Sequence, residues 1–216
     1  MQAMNREMTT EIDIHQRWCD FDHPADILAE KLLGKVIVRS TANAVIAGRI
    51  VEVEAYLGHH DAASHSFGGR KTPRNASMFL SAGSAYVYLI YGVHHCLNVV
   101  CGAAGQGTAV LIRALEPVAG VESMRANRPQ CTKTVDLCRG PGRLCRALAI
   151  DRTFDGIDLA SDNRLFVVAG CDGRSGNTWP MVRTKRIGVE YAGRWANAPL
   201  RFLYKGHPCV SGPRIQ

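Results

Sequence analysis

The chain has 216 residues, 46% of them hydrophobic and 21% charged, which excludes wholesale disorder and fits one large domain better than two small ones. No segment reaches the ~18 uninterrupted apolar residues of a membrane span, and Met1–Trp18 is charged throughout, so neither a membrane partner nor a signal peptide is expected. Twenty-six basic against nineteen acidic side chains give a net charge of +7, which fits a polyanion partner and a merely basic soluble protein equally well.

Residues 1–22 are polar and acidic and read as a flexible N-terminal arm, with residues 23–216 as the domain. Pro24 opens a helix over Ala25–Leu33 that stops at Gly34. Lys35–Arg39 and Ala47–Leu57 are β-branched runs joined by a polar turn, so paired strands are predicted. His59–Asn75, rich in Gly, His and Arg, suits neither element. Strands follow at Ala85–Tyr91, Cys96–Cys101 and Ala109–Leu115, with Gly92 turning the first into the second. Pro117 is predicted to start a helix through Ala126, and Pro141 another through Ile150. The last strands are expected near Leu165–Ala169, Arg186–Tyr191 and Leu200–Tyr204. Strands dominate with a few interspersed helices, which predicts a single α+β domain around a mainly antiparallel sheet.

Charge is unevenly spread. Residues 1–69 hold six basic and ten acidic side chains, residues 70–216 twenty and nine, and Arg outnumbers Lys by twenty to six. Arginine forks onto phosphate oxygens. The eight cysteines contain no C-x-x-C pair, so reduced, mostly buried thiols are expected rather than disulfides or a zinc site.

Three segments could carry chemistry. In Arg49–Gly58, strand alternation puts Glu52, Glu54 and Tyr56 on one face and Val51, Val53, Ala55 and Leu57 on the other, the core face. The polar face is either a sheet surface or a pocket wall bearing a general base. In Ala85–Gly92, Tyr86, Tyr88 and Ile90 share one face, and Gly92 places Tyr91 at the tip of a protruding hairpin. Such a stripe is either core or a platform for stacking nucleobases. Finally His65 precedes Gly68–Asn75, where Arg70, Lys71, Thr72 and Arg74 make a loop suited to phosphate contacts.

With Glu54-Ala-Tyr-Leu-Gly58, His65-Ser66, Thr72–Asn75, Tyr86–Gly92, Cys96-Leu-Asn98, Arg113–Pro117, Gly140-Pro-Gly, Arg186-Ile-Gly188 and Pro199–Phe202 in this order, the chain resembles the alkyladenine (3-methyladenine) DNA glycosylases. The resemblance implies a monofunctional base-excision-repair enzyme that flips alkylated or deaminated purines out of duplex DNA and hydrolyses the N-glycosidic bond. It implies Glu54 as the general base for a water, with Arg113 and the backbone carbonyl of Ile187 positioning that water. Tyr56, His65 and Tyr88 would sandwich the flipped base, Asn98 would exclude guanine, and Tyr91 would fill the gap in the duplex. Arg70, Lys71, Thr72, Arg74, Arg139 and Arg143 are expected on the DNA backbone. Glu52 either supports the site or faces solvent. No metal or cofactor is expected. The expected partner is double-stranded DNA with damaged purines, bound by a monomer located with the DNA inside the cell. Departures fall at Val93, at His94-His95 and in residues 102–107. Two rival readings are a non-catalytic damaged-DNA binder and a metallohydrolase using His59, His60, Asp61, His65, His94, His95 and Cys96.

Overall fold

The computed structural model describes residues 13–170 and 179–212; residues 1–12 of the expected arm and Cys171 lie outside them. The first helix, α1 (Ala25–Leu32), begins after Pro24 and buries Ala25, Leu28, Ala29 and Leu32, the spacing of one helical face. Gly34, at φ 82°, turns the chain into β1 (Val36–Ser40), which runs antiparallel to β2 (Val45–Tyr56). The chain between Arg17 and Phe21, expected in a loosely held arm, instead packs down. Arg17 bridges to Val168, the Trp18 N–H donates to the Val167 carbonyl at 2.9 Å, and Phe21 is buried.

The middle of the chain supplies β3 (Ala85–Ile90), β4 (His94–Cys101) and β5 (Thr108–Ala119), then α2 (Val121–Asn127) and α3 (Pro141–Ala147). Short strands β6 (Leu165–Val168), β7 (Met181–Thr184) and β8 (Arg201–Tyr204) complete an antiparallel α+β domain. The main sheet order is β3-β4-β5-β2-β1-β6. β5 lines one edge of β2 over most of its length, while the other edge is shared. β1 pairs with residues 45–49 and β8 with residues 52–54. The stretch bearing Glu52 and Glu54 therefore has strands on both sides.

The three α-helices pack on one face of this sheet: Leu28, Leu32, Met124 and Leu144 share a buried cluster with Ile50, Val53, Val87, Leu97 and Ile112. Strand alternation sends the intervening side chains to the opposite face, where Tyr56, Tyr86, Tyr88, Asn98 and Arg113 meet around a cavity. Alternation fails beside the site. Register shifts between β2 and β5 on both sides of Glu52 mark a bulge, and Val51 leaves the expected core face to pack with Ala114, Leu203, Cys209 and Val210.

Two predicted elements are corrected. Pro117 does not start a helix; it lies in β5 opposite Gly48, next to another register shift, where a missing N–H costs no regular ladder bond. The helix begins at Val121, after Gly120 turns the chain at φ 67°. Nor is Arg186–Tyr191 a strand. Gly188 sits at φ 77°, and the Ile187 N–H is used by a side chain rather than by a neighbouring strand.

Candidate active site

A cavity of about 380 Å³ opens on the face opposite the helices, lined by Tyr56, His65, Tyr88, Asn98, Arg113 and Ile187 among others. With Tyr91, seven of the sequence-predicted residues thus meet in one place.

Glu54 lies behind the lining, in contact with its residues Tyr56, Arg113 and Ile187. Its side chain is 0% exposed, and three donors converge on the carboxylate. Oε1 accepts the Ile187 N–H at 2.8 Å and lies 3.1 Å from Arg113 Nη1, while Oε2 accepts the Tyr56 hydroxyl at 2.9 Å. Burial first, and the Glu54 carboxylate second, hold the Tyr56 phenol well above its usual 10, so Tyr56 remains a neutral donor. Burial works against the Arg113 charge, but Glu54 and Glu52 outweigh it and raise its pKa. For Ile187 the contact seen is the N–H on Glu54, not the carbonyl that the resemblance singled out.

The walls are aromatic. His65 Nδ1 and the Tyr86 hydroxyl are 2.8 Å apart. The rings of His65 and Tyr88 meet edge-on at 4.7 Å, and those of Tyr86 and Tyr88 stack at 5.1 Å. Burial, helped by Arg74, pushes His65 below its usual 6.5, so the imidazole is neutral at neutral pH. Burial likewise raises the Tyr86 and Tyr88 phenols. The aromatic side chains of these walls are uncharged and rich in π electrons. Asn98 donates Nδ2 to the Tyr86 carbonyl at 3.0 Å, a bond that fixes which way its amide faces the cavity.

Tyr91 stands at the tip of the β3–β4 hairpin, 87% exposed at φ 52°. Gly92 follows at φ 72°, and the Val93 N–H returns to the Ile90 carbonyl at 3.2 Å. The expected phosphate contacts divide. Arg70, Lys71 and Arg143 are exposed, and Thr72 is half-buried beside Asn75. Arg74 lies over the Tyr88 ring at 5.2 Å and donates to the Leu89 carbonyl at 3.0 Å, so it serves the wall as well as the surface. Arg139 is committed within the fold, its Nε donating to the Val210 carbonyl at 2.7 Å.

Other site residues were missed in the sequence. Asp61, considered only as a metal ligand, forms a two-pronged pair with Arg186 at 2.6 and 2.8 Å. Asp61 also accepts the Leu57 and Ala63 N–H groups, and Arg186 lies over the Tyr56 ring at 4.7 Å. This clamp ties the Arg186–Gly188 loop, and with it the Ile187 N–H, to the end of β2. The signal was present in the Arg186-Ile-Gly block, but its partner lies 125 residues away. Among the described residues, no three His, Cys, Asp or Glu side chains converge as metal ligands.

The site thus sets a buried carboxylate, bonded to a backbone N–H and a phenol and paired with a guanidinium, behind an aromatic pocket and beside an exposed tyrosine. The chain belongs to the methylpurine-DNA glycosylase (MPG) family, which matches residues 19–208. It is 48% identical over 200 residues to a DNA-3-methyladenine glycosylase of Mus musculus, covering 88% of this chain and 59% of that protein. A DNA-3-methyladenine glycosylase of Homo sapiens is 46% identical over 200 residues, with 88% of this chain and 66% of that protein covered. A putative 3-methyladenine DNA glycosylase of Burkholderia lata is 46% identical over 193 residues, 89% of each chain. The chain thus spans about three-fifths to two-thirds of the mammalian relatives' length and most of the bacterial one.

Proposed function

We propose that the protein is a monofunctional DNA glycosylase that extrudes an alkylated or deaminated purine into the aromatic cavity and hydrolyses its N-glycosidic bond. The observation that carries the reading is the set of bonds on Glu54. A carboxylate offers about four lone-pair sites. Oε1 accepts the Ile187 N–H and is ion-paired with Arg113, while Oε2 accepts only the Tyr56 hydroxyl, which leaves a site on Oε2 to take a proton. A water held there would give that proton to Oε2 as its oxygen attacks C1′ of the sugar. The glycosidic electron pair would leave with the base, and the carboxylate would stabilise the positive charge developing on the sugar. The donors on Oε1 keep the carboxylate oriented without quenching the free site.

Selection follows from the walls. A methylated purine carries positive charge and gains from stacking between Tyr56, His65 and Tyr88, while a normal base does not gain that term. Tyr91 would fill the space left in the duplex, and Asn98 would crowd the exocyclic amino group of guanine. Lyase chemistry needs an amine at the sugar. Lys71 is exposed, its Nζ 5.3 Å from the centre of the Phe79 ring, and does not line the cavity. The relatives' names, DNA-3-methyladenine glycosylase, support the same reaction class; the substrate proposed is double-stranded DNA.

The test is base release from duplexes each bearing one 3-methyladenine, 7-methylguanine, hypoxanthine or ethenoadenine. The parent chain should release base, and Glu54→Gln should bind the same duplexes yet release on the order of 10²-fold more slowly or less. Normal release by Glu54→Gln would overturn the mechanism. Borohydride added to enzyme on an abasic duplex should trap no covalent complex.

A further inference from the structure

Two residues along β2 from Glu54 lies a second carboxylate that the proposed chemistry does not use. Glu52 is 0% exposed and accepts four hydrogen bonds. Its Oε1 takes Arg113 Nε at 3.0 Å, Arg201 Nε at 2.7 Å and Ser211 Oγ at 2.9 Å, and its Oε2 takes the Ser211 N–H at 2.6 Å. Arg201 closes the ring by donating Nη2 to the Ser211 carbonyl at 2.8 Å. Arg113 Nη2 donates to Ser211 Oγ at 3.3 Å. Arg113, Arg201 and Ser211 are 7%, 4% and 4% exposed, so the whole ring is dry.

Stability alone does not account for this arrangement. A buried ion pair is often matched or bettered by apolar side chains of the same volume, and β2 already has aliphatic neighbours on both sides. Orientation does account for it. A guanidinium is a planar fork with fixed donor directions. Glu52 takes the Nε of Arg113 and Ser211 takes Nη2, so Nη1 is turned onto Glu54 Oε1 at 3.1 Å. Glu52, Arg201 and Ser211 do not line the cavity; they act from behind it. Ser211 also lies past residue 208, where the family match ends.

Resting on the proposed hydrolysis, we infer that Glu52, with Ser211, is a positioning residue that holds Arg113 in the orientation that fixes the Glu54 carboxylate for attack on the sugar. Without this support Arg113 would rotate, and the free site on Oε2 would lose its aim.

The experiment measures single-turnover base release at saturating enzyme, binding of the same damaged duplex, and thermal unfolding. Glu52→Gln should keep duplex binding within about twofold while its maximal rate falls on the order of 10²-fold. Ser211→Ala keeps the backbone N–H to Glu52 and removes one hydroxyl; it should fold like the parent and lose about tenfold in rate. It carries the test if Glu52→Gln fails to fold. In an Arg113→Gln background, Ser211→Ala should cost no more than about twofold further, because its effect runs through Arg113. Parent-like rates in Ser211→Ala would overturn the inference, as would a full additional loss in the Arg113→Gln background. With release by the parent and none by Glu54→Gln, such a result sinks this inference alone. No release by the parent overturns the proposed function and this inference together.

Discussion

Tyr91 sits at φ 52° with 87% of its surface exposed, a left-handed conformation that costs a non-glycine residue ~1–2 kcal/mol. It recovers none of that cost through packing, and under the proposed function it would be used in the duplex. Tyr91→Asn, which tolerates positive φ, should therefore change unfolding free energy by no more than about 0.5 kcal/mol. It should weaken binding to a damaged duplex by roughly 1–3 kcal/mol, the worth of one stacked ring. Denaturant titration and duplex binding check the two halves separately. His65 offers a second split, by pH. Its folded-state pKa lies below the usual 6.5, through burial and then Arg74. A group whose pKa is lowered on folding contributes stability that is present above its unfolded pKa and lost as pH falls through the folded value. On the same acid side the imidazolium would repel a cationic base. Release of 7-methylguanine should then fall more steeply below pH ~6.5 than release of neutral hypoxanthine. His65→Gln should remove the difference between the two lesions, and equal acid limbs in the parent would refute the assignment.

At the level of elements, the site depends on how the Arg186–Gly188 loop is fastened to β2. Arg186 and Asp61 have fully buried side chains, and removing one partner of such a pair costs about 3–5 kcal/mol. Asp61→Asn should lower unfolding free energy by about that much in urea. In the protein that stays folded at low temperature, it should also slow base release, because the Ile187 N–H no longer has a fixed position. Loss of stability with an unchanged rate would show that the clamp serves the fold alone. This loop also shows what could be read in the sequence. β1, β2, β6 and β8 were legible because runs of β-branched and aromatic residues bounded by turns have one good solution. Arg186–Tyr191 had strand composition, but its charge is drawn inward to Asp61 and Gly188 breaks the extended backbone. Pro117 looked like a helix start because Pro is common there, and local sequence does not reveal the neighbouring register shift that lets β5 carry it. Glu54, Tyr56, His65 and Tyr88 were identifiable as a set through the family resemblance. The bonds that orient Glu54 were not, since Ile187 lies 133 residues away and Ser211, which orients Arg113, 98 residues from it. Period-two alternation places Glu52 on a face but does not tell whether a second strand and the chain's tail will cover it.

Over the whole molecule, the buried charges of the described residues cancel. Among them Glu52, Glu54 and Asp61 are matched by Arg113, Arg186 and Arg201, so this core adds nothing to the net charge of +7. The aromatic side chains of the cavity are neutral, and the exposed cations Arg70, Arg143 and Arg146 lie beside His65 or the hairpin's second strand, where Arg143 and Arg146 share a groove with His94. Affinity for a duplex and choice of base would then rest on different residues. Binding should weaken linearly in log salt, with a slope of about −0.9 per phosphate neutralised. Arg70→Gln and Arg143→Gln should each make that slope shallower by about 0.9, equally for damaged and undamaged duplexes. Tyr88→Leu should leave the slope unchanged and shrink the ratio of damaged to undamaged affinity. Fluorescence titrations across a salt series measure both quantities at once. A slope that stays the same in Arg143→Gln would remove the α3 groove from the DNA path, and a slope that changes in Tyr88→Leu would break the separation of attraction from selection.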